Sequence, residues 1–78
     1  MLEKCLSLII SFNRTTDAMA VEEYCLKNNI YGRLIPLPKE ISAGCGLAWK
    51  CRIEDKTDIT KILKKMNIKY DKMSEIVI

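Results

Sequence analysis

The chain has 78 residues, with 13 lysines and arginines, 10 aspartates and glutamates, no histidine and a net charge of +3. This length supports one small domain, placed over residues 1–78, with a modest hydrophobic core. The basic residues are dispersed, so the charge argues against a nucleic-acid partner and favours an ordinary solvated surface.

The first twelve residues, MLEKCLSLIISF, contain a short apolar run. The run is about eight residues long, whereas a membrane-spanning helix needs roughly 20. It lacks a small-residue cleavage site and a separate basic region, so we expect neither export nor a membrane partner. We therefore expect a cytoplasmic protein whose four cysteines are reduced.

The first half of the chain predicts a strand followed by a helix. Residues 5–12 alternate, which predicts a half-buried strand with core-facing Leu6, Leu8, Ile10 and Phe12. A helix is predicted over residues 16–28, with capping residues at 13–16 and Asp17 in its first turn. The asparagines at 28–29 are expected to end it. Its buried side is expected to include Ala18, Val21 and Cys25.

The second half predicts three strands and a helix. The strand at residues 33–38 contains two prolines, which cannot donate to a central ladder, so we expect it at a sheet edge or ending at Pro36. A loop follows at 39–44. A third strand, a second helix and a last edge strand are predicted at residues 46–53, 56–66 and 68–78.

The order strand, helix, strand, strand, helix, strand predicts an α+β, ferredoxin-like βαββαβ sandwich of two layers. In that fold both helices cover one face of an antiparallel sheet. The first and third strands are central, and the second and fourth are edges.

The residue inventory excludes several kinds of site. Without histidine, neither a Cys–His nor a Ser–His–Asp arrangement can form within one chain. The cysteines lie at 5, 25, 45 and 51, on separate predicted elements, so four-thiolate zinc binding is disfavoured. We expect no metal and no cofactor.

One cysteine stands apart from the other three. Cys25 and Cys51 fall on apolar faces and are expected to be small hydrophobic core residues, and Cys5 is expected to be structural or incidental. Cys45 lies between Gly44 and Gly46, which carry no side chains to shield its sulfur. From these residues alone, a functional thiol and an inert turn cysteine remain equally open.

The surroundings of Cys45 are basic. Cations favour the nucleophilic thiolate, and Lys39 lies in the same loop while Arg33 and Lys50 lie on the flanking strands. Ser42 can donate a hydrogen bond either to the sulfur or to the local turn backbone. Two prolines, at 36 and 38, fix φ and stiffen the entry to the loop.

The segment RLIPLPKEISAGCGLA, residues 33–48, resembles the hallmark of a small bacterial family described as "putative selenium/sulfur carrier protein-like". That hallmark reads approximately R-L-I-P-x-P-R-x-[IL]-S-[SA]-G-C-G-[LIVMT]-[AS]. A looser likeness extends over the whole chain.

The resemblance implies that Cys45 is the carrier thiol. Lys39 stands where the family often has arginine, which keeps the charge but loses the planar fork for anions. The other motif positions, carried over as binding residues, are Arg33, Pro36, Pro38, Ser42, Gly44 and Gly46.

The function implied by the resemblance is non-enzymatic relay of a persulfide or perselenide on Cys45, from a donor enzyme to an acceptor protein. The alternative is a small ligand-binding or regulatory module. A thiol-dependent enzyme is least favoured because no general base accompanies the thiol. The sequence leaves open whether two chains pair through an edge strand.

Overall fold

Residues 5–39 and 46–77 are described by the structure, a computed structural model. This part of the chain contains four strands, two α-helices and one short 3-10 helix, Ile53–Asp55, directly before the second α-helix. The strands and α-helices are β1 (Leu6–Ser11), α1 (Thr15–Lys27), β2 (Arg33–Pro36), β3 (Leu47–Arg52), α2 (Lys56–Lys65) and β4 (Lys72–Val77).

The strands form one sheet in the order β2-β3-β1-β4. All three pairings are antiparallel, so β1 and β3 are central and β2 and β4 are edges. Side chains from both α-helices pack against the same face of this sheet. The ferredoxin-like α+β architecture predicted from the sequence is therefore confirmed.

The main core lies between that face and the two helices. Strands β1 and β3 contribute alternate residues to it, among them Leu8, Ile10 and Trp49. Burial of each large apolar side chain contributes about 1.5–3 kcal/mol. Helix α1 contributes its predicted buried residues, Ala18, Val21 and Cys25. Helix α2 contributes Ile59, Ile62 and Leu63. Leu6, predicted to face the core, is instead half exposed opposite Val77 at the margin of the sheet.

Strand β1 is buried on both faces, so the prediction of a half-buried strand was wrong. Ile9 and Ser11 point away from the helices, yet both are fully buried. Neighbouring strands flank β1 on each side, and Ile9 forms a second small cluster with Ala48. The partly buried residues packed against that cluster are Ile35, Leu37 and Ile76. Central position in the sheet therefore decides the burial of β1.

At the ends of α1, the predicted side-chain cap was wrong, whereas the acidic first turn and the terminating asparagine were confirmed. Helix α1 begins after Arg14, which has no side-chain capping hydrogen bond, so the predicted cap is not formed. Asp17 instead accepts from the Arg14 guanidinium at 3.2 Å and places negative charge in the first turn, as predicted. Asn29 and Asn67 follow the two helices with φ of 56°, the left-handed conformation that asparagine tolerates.

The edge strands are shorter than the sequence predicts. Strand β2 ends at Pro36, in agreement with the proline argument. Strand β4 starts only at Lys72, which is where its pairing with Ser11 of β1 begins. No helix among the described residues has both the length and the apolar character needed to cross a membrane.

Gly32 allows the tryptophan to pack at the start of β2. Its φ is +150°, and a Cβ built on it would lie 2.5 Å from Cζ2 and 2.8 Å from Nε1 of Trp49. Trp49 is fully buried, so its ring has little room to retreat. A side chain at position 32 would therefore displace the largest residue of the core.

We predict that Gly32→Ala lowers the free energy of unfolding by about 3 kcal/mol, because the added methyl overlaps the Trp49 ring. Gly46→Ala is the matched control. Gly46 also has positive φ, +77°, but a Cβ there meets no atom of the described residues beyond its chain neighbours within 4 Å, so its cost should be about 1 kcal/mol. Urea unfolding followed by circular dichroism measures both. Equal losses in the two variants would contradict the packing role of Gly32.

Candidate functional site

The loop predicted to carry the reactive thiol begins and ends on an ordered base. Pro36 pairs with Leu47 at the last position of the β2–β3 ladder. One residue further on, the Leu37 amide donates to the Gly46 carbonyl at 2.9 Å. Residues 40–45 lie outside the described part of the chain, so the predicted roles of Ser42, Gly44 and Cys45 stay predictions.

Gly46 is the described residue bonded directly to Cys45. It is exposed, with φ of +77°, in the region that favours glycine. Among residues 5–39 and 46–77, apart from its chain neighbours, no atom lies within 4 Å of a Cβ built at this position, and it is the positive φ that favours glycine here. The backbone conformation at position 46, directly after Cys45, is therefore one that glycine adopts without strain.

The remaining predicted loop residues lie near this base. Pro36 is exposed at the end of the edge strand, and Pro38 is partly buried. Lys39, the last described residue before the gap, is exposed. The two prolines and Lys39 therefore flank the entry to the segment that contains Cys45.

Arg33 and Lys50 lie at the other end of the hairpin. They are directly opposite each other in the β2–β3 register. Lys50 is four residues along the strand from Gly46, so their Cα atoms are about 13 Å apart at the usual strand rise. Arg33 and Lys50 are therefore close to each other, but their Cα atoms lie far from the base of the loop.

Two of the other cysteines are packed in the core, as predicted. Cys25 is fully buried in α1 and Cys51 is 3% exposed in β3. Burial raises the pKa of Cys25 to about 11. It also raises the pKa of Cys51 to about 12, with further contributions from the Asp55 carboxylate and from the thiolate that Cys25 becomes in alkali, against the opposing effect of Arg52. Both thiols are therefore protonated at neutral pH.

A hollow that no sequence motif indicated lies at the end of the sheet farthest from the loop. It has a volume of about 630 Å³ and lies where β1 and β2 begin and β3 ends. We call it the basic hollow, defined by Cys5, Tyr31, Gly32, Arg33, Lys50 and Arg52. Cys5 is exposed there. These residues lie in separate segments of the sequence and come together through the pairing register of the strands, which the sequence alone does not reveal.

Burial should protect two thiols from alkylation. We predict that iodoacetamide at neutral pH modifies Cys5 in the folded protein while Cys25 and Cys51 react about a hundredfold more slowly or not at all, because a pKa raised by two units or more removes the thiolate. Peptide mass mapping after timed labelling measures this, with urea-unfolded protein as the control in which all sites react. Fast labelling of Cys51 in the folded state would contradict the assigned packing.

The same thiols should weaken the fold in alkali. An unfolded Cys51 loses its proton near its ordinary pKa of 9.0, whereas the folded residue keeps it until about 12. The unfolded state therefore binds fewer protons in this window, and the free energy of unfolding falls by about 1.4 kcal/mol per pH unit for each such thiol. Below pH 9 the contribution is fully present.

The variant Cys51→Val removes one of these thiols at similar volume. We predict that, between pH 9 and 12, the free energy of unfolding of the original protein falls relative to that of this variant by about 1.4 kcal/mol per pH unit. Denaturant unfolding at a series of pH values measures the difference, in which the lysine and tyrosine contributions cancel. Parallel stability curves would refute it.

Comparison with known proteins places the chain in a family. No curated protein and no solved structure matches it. The profile of the family described as "Putative Se/S carrier protein-like" matches residues 7–75, which contain both helices and nearly all of the sheet. Because this match spans most of the sequence, the chain belongs to the Se/S carrier protein-like family.

Proposed function

We propose that this protein carries sulfur or selenium as a persulfide or perselenide on Cys45. The observation that supports this choice of thiol is the burial of Cys25 and Cys51, whose raised pKa values keep them protonated. Two cysteines remain as candidates, Cys5 and Cys45. Of these, only Cys45 lies within residues 33–48, which resemble the family hallmark, and within the range that the family profile matches.

The chemistry requires a single thiol and no outside oxidant. The Cys45 thiolate attacks the terminal sulfur or selenium of a donor persulfide or perselenide, and a new bond forms from Cys45 to that atom. The bond between the donor cysteine and the same atom breaks, and the donor leaves as a thiolate. Delivery repeats the exchange with an acceptor nucleophile attacking the terminal atom, which returns Cys45 to its thiolate form.

The ordered base of the loop supports this role. The Leu37–Gly46 hydrogen bond and the Pro36–Leu47 pair hold the two ends of the segment next to each other. Two prolines fix φ on one side, which reduces the conformational entropy that is lost when a partner binds. Gly46 supplies a left-handed backbone position on the other side. The segment that presents the thiol to donor and acceptor therefore starts and ends at fixed backbone positions.

The role needs partners and a reducing environment. We infer a donor enzyme that generates a persulfide or perselenide, and an acceptor protein that consumes it. A free carrier thiol persists in compartments where disulfides are reduced, which favours the cytoplasm. The chain acts here as a reactant rather than a catalyst, since the carried atom is gained and lost at Cys45.

We predict that incubation with a cysteine desulfurase and cysteine, or with a selenocysteine lyase and selenocysteine, adds one sulfur or selenium atom to this protein. Intact-mass analysis without reductant detects the adduct, and peptide mapping locates it. Cys45→Ala should abolish loading, because it removes the attacking thiol.

The matched control is Cys5→Ala, which deletes the other candidate thiol at an exposed position. It should load as completely as the original protein. Unchanged loading of Cys45→Ala, or loss of loading in Cys5→Ala, would refute the assignment of the carrier thiol.

A further inference from the structure

The basic hollow carries more positive than negative charge. Arg33, Lys50 and Arg52 line it together with one carboxylate, Glu54. Arg52 is already engaged, since its guanidinium donates to Asp55 at 3.0 Å and lies 5.0 Å from the centre of the Tyr31 ring. Within the described part of the chain, Arg33 and Lys50 are therefore the cations at the hollow without an ion-pair partner, and the Glu54 carboxylate has none either.

Arg33 and Lys50 form a pair of like charges. They are directly opposite each other on antiparallel strands, so their side chains leave the same face with Cβ atoms about 4.5–5.5 Å apart. Among residues 5–39 and 46–77, the four ion pairs leave both of these side chains without a carboxylate. Like charges in this position destabilise strand pairing. A negatively charged ligand between them would remove that cost.

The hollow also offers apolar surface next to the charges. The ring of Tyr31 and the side chain of Leu6 line it, and both are half exposed or more. Its volume of about 630 Å³ falls within the range of small-molecule sites and exceeds what a simple inorganic ion needs. The lining thus suits an organic compound with a charged end and a less polar body.

We infer that the basic hollow binds a small organic molecule with two negative charges on one group or on neighbouring groups, such as a phosphorylated compound or a dicarboxylate. The planar Arg33 guanidinium donates a fork of hydrogen bonds to paired oxygens, and the Lys50 ammonium supplies a compact second charge. Two charges on the ligand match the two uncommitted cations, whereas a monoanion leaves one unpaired.

This site is separate from the proposed carrier thiol. It lies at the opposite end of β2 and β3 from the Leu37–Gly46 bond. The chain's single tryptophan offers a nearby reporter, because Trp49 packs against Gly32, which lines the hollow. Ligand entry should therefore alter tryptophan emission.

The test titrates the full chain with inorganic phosphate, malonate or acetate, and follows Trp49 emission and backbone amide NMR shifts. Sodium chloride holds the ionic strength constant, which separates specific binding from general salt effects. We expect phosphate or malonate to shift the amides of β2 and of the end of β3, and acetate to bind about tenfold more weakly or worse. Comparing phosphate with malonate distinguishes a phosphorylated ligand from a dicarboxylate.

Three variants test the assignment. Lys50→Gln and Arg33→Gln should each weaken binding of the preferred dianion about tenfold, and each should raise Tm in low-salt buffer without the anion, because the like-charge contact is gone. Lys64→Gln, an exposed charge on α2, is the matched control and should change neither property.

Retained dianion affinity in Lys50→Gln and Arg33→Gln would overturn the proposal, as would an equal loss in Lys64→Gln. Absence of saturable binding by both dianions would overturn it as well. Cys45→Ala should bind the dianion normally, so failure of the carrier assignment and failure of this site give different results.

Discussion

Antiparallel pairing between β1 and β3 places Leu8 opposite Cys51 and Ile10 opposite Trp49, on the face that the helices cover. The side-chain period of a strand is two residues, so a slip of one position would turn all of these residues to the other face. The same register directs Ala48 and Lys50 to the opposite side. Much of the core and the location of both candidate sites therefore depend on this one pairing.

The hairpin of β2 and β3 separates two kinds of chemistry along its length. Its closed end holds the Leu37–Gly46 bond and leads into the segment with Cys45. Its other end opposes Arg33 with Lys50 and borders the basic hollow. The predicted site combined residues from both ends, because a sequence motif records proximity along the chain and not the direction in which a strand leads away. Arg33, three residues before Pro36, is carried away from the loop by an extended backbone.

Local rules predicted the features that depend on local interactions. The apolar stripe of α1, the end of β2 at Pro36 and the left-handed asparagine after α1 follow from neighbouring residues alone. Burial of Cys25 and Cys51 followed from periodicity in the same way. By contrast, the full burial of Ile9 depends on strands that flank β1 from distant parts of the sequence.

Two further features required the tertiary structure. Glycine is required at position 32 because the ring of Trp49, a residue on another strand, occupies the space of a side chain there. No local sequence pattern indicates this contact. The Arg33–Lys50 contact depends on the pairing register, which a propensity argument does not determine. The reactivity of Cys45 could be proposed from its motif, but the exposed position of Cys5 at the basic hollow depends on how the strands pair.

The short length of β2 connects the two ends of the hairpin energetically. This strand has four residues and pairs with β3 alone, so each of its contacts is a large share of what holds it in place. Its first residue, Arg33, faces a like charge, while its last, Pro36, pairs beside the base of the loop. A dianion that neutralises the first contact would strengthen the whole ladder, because pairing of a short edge strand is cooperative along its length. Occupation of the basic hollow would then stabilise the loop base without any contact between the ligand and the thiol segment.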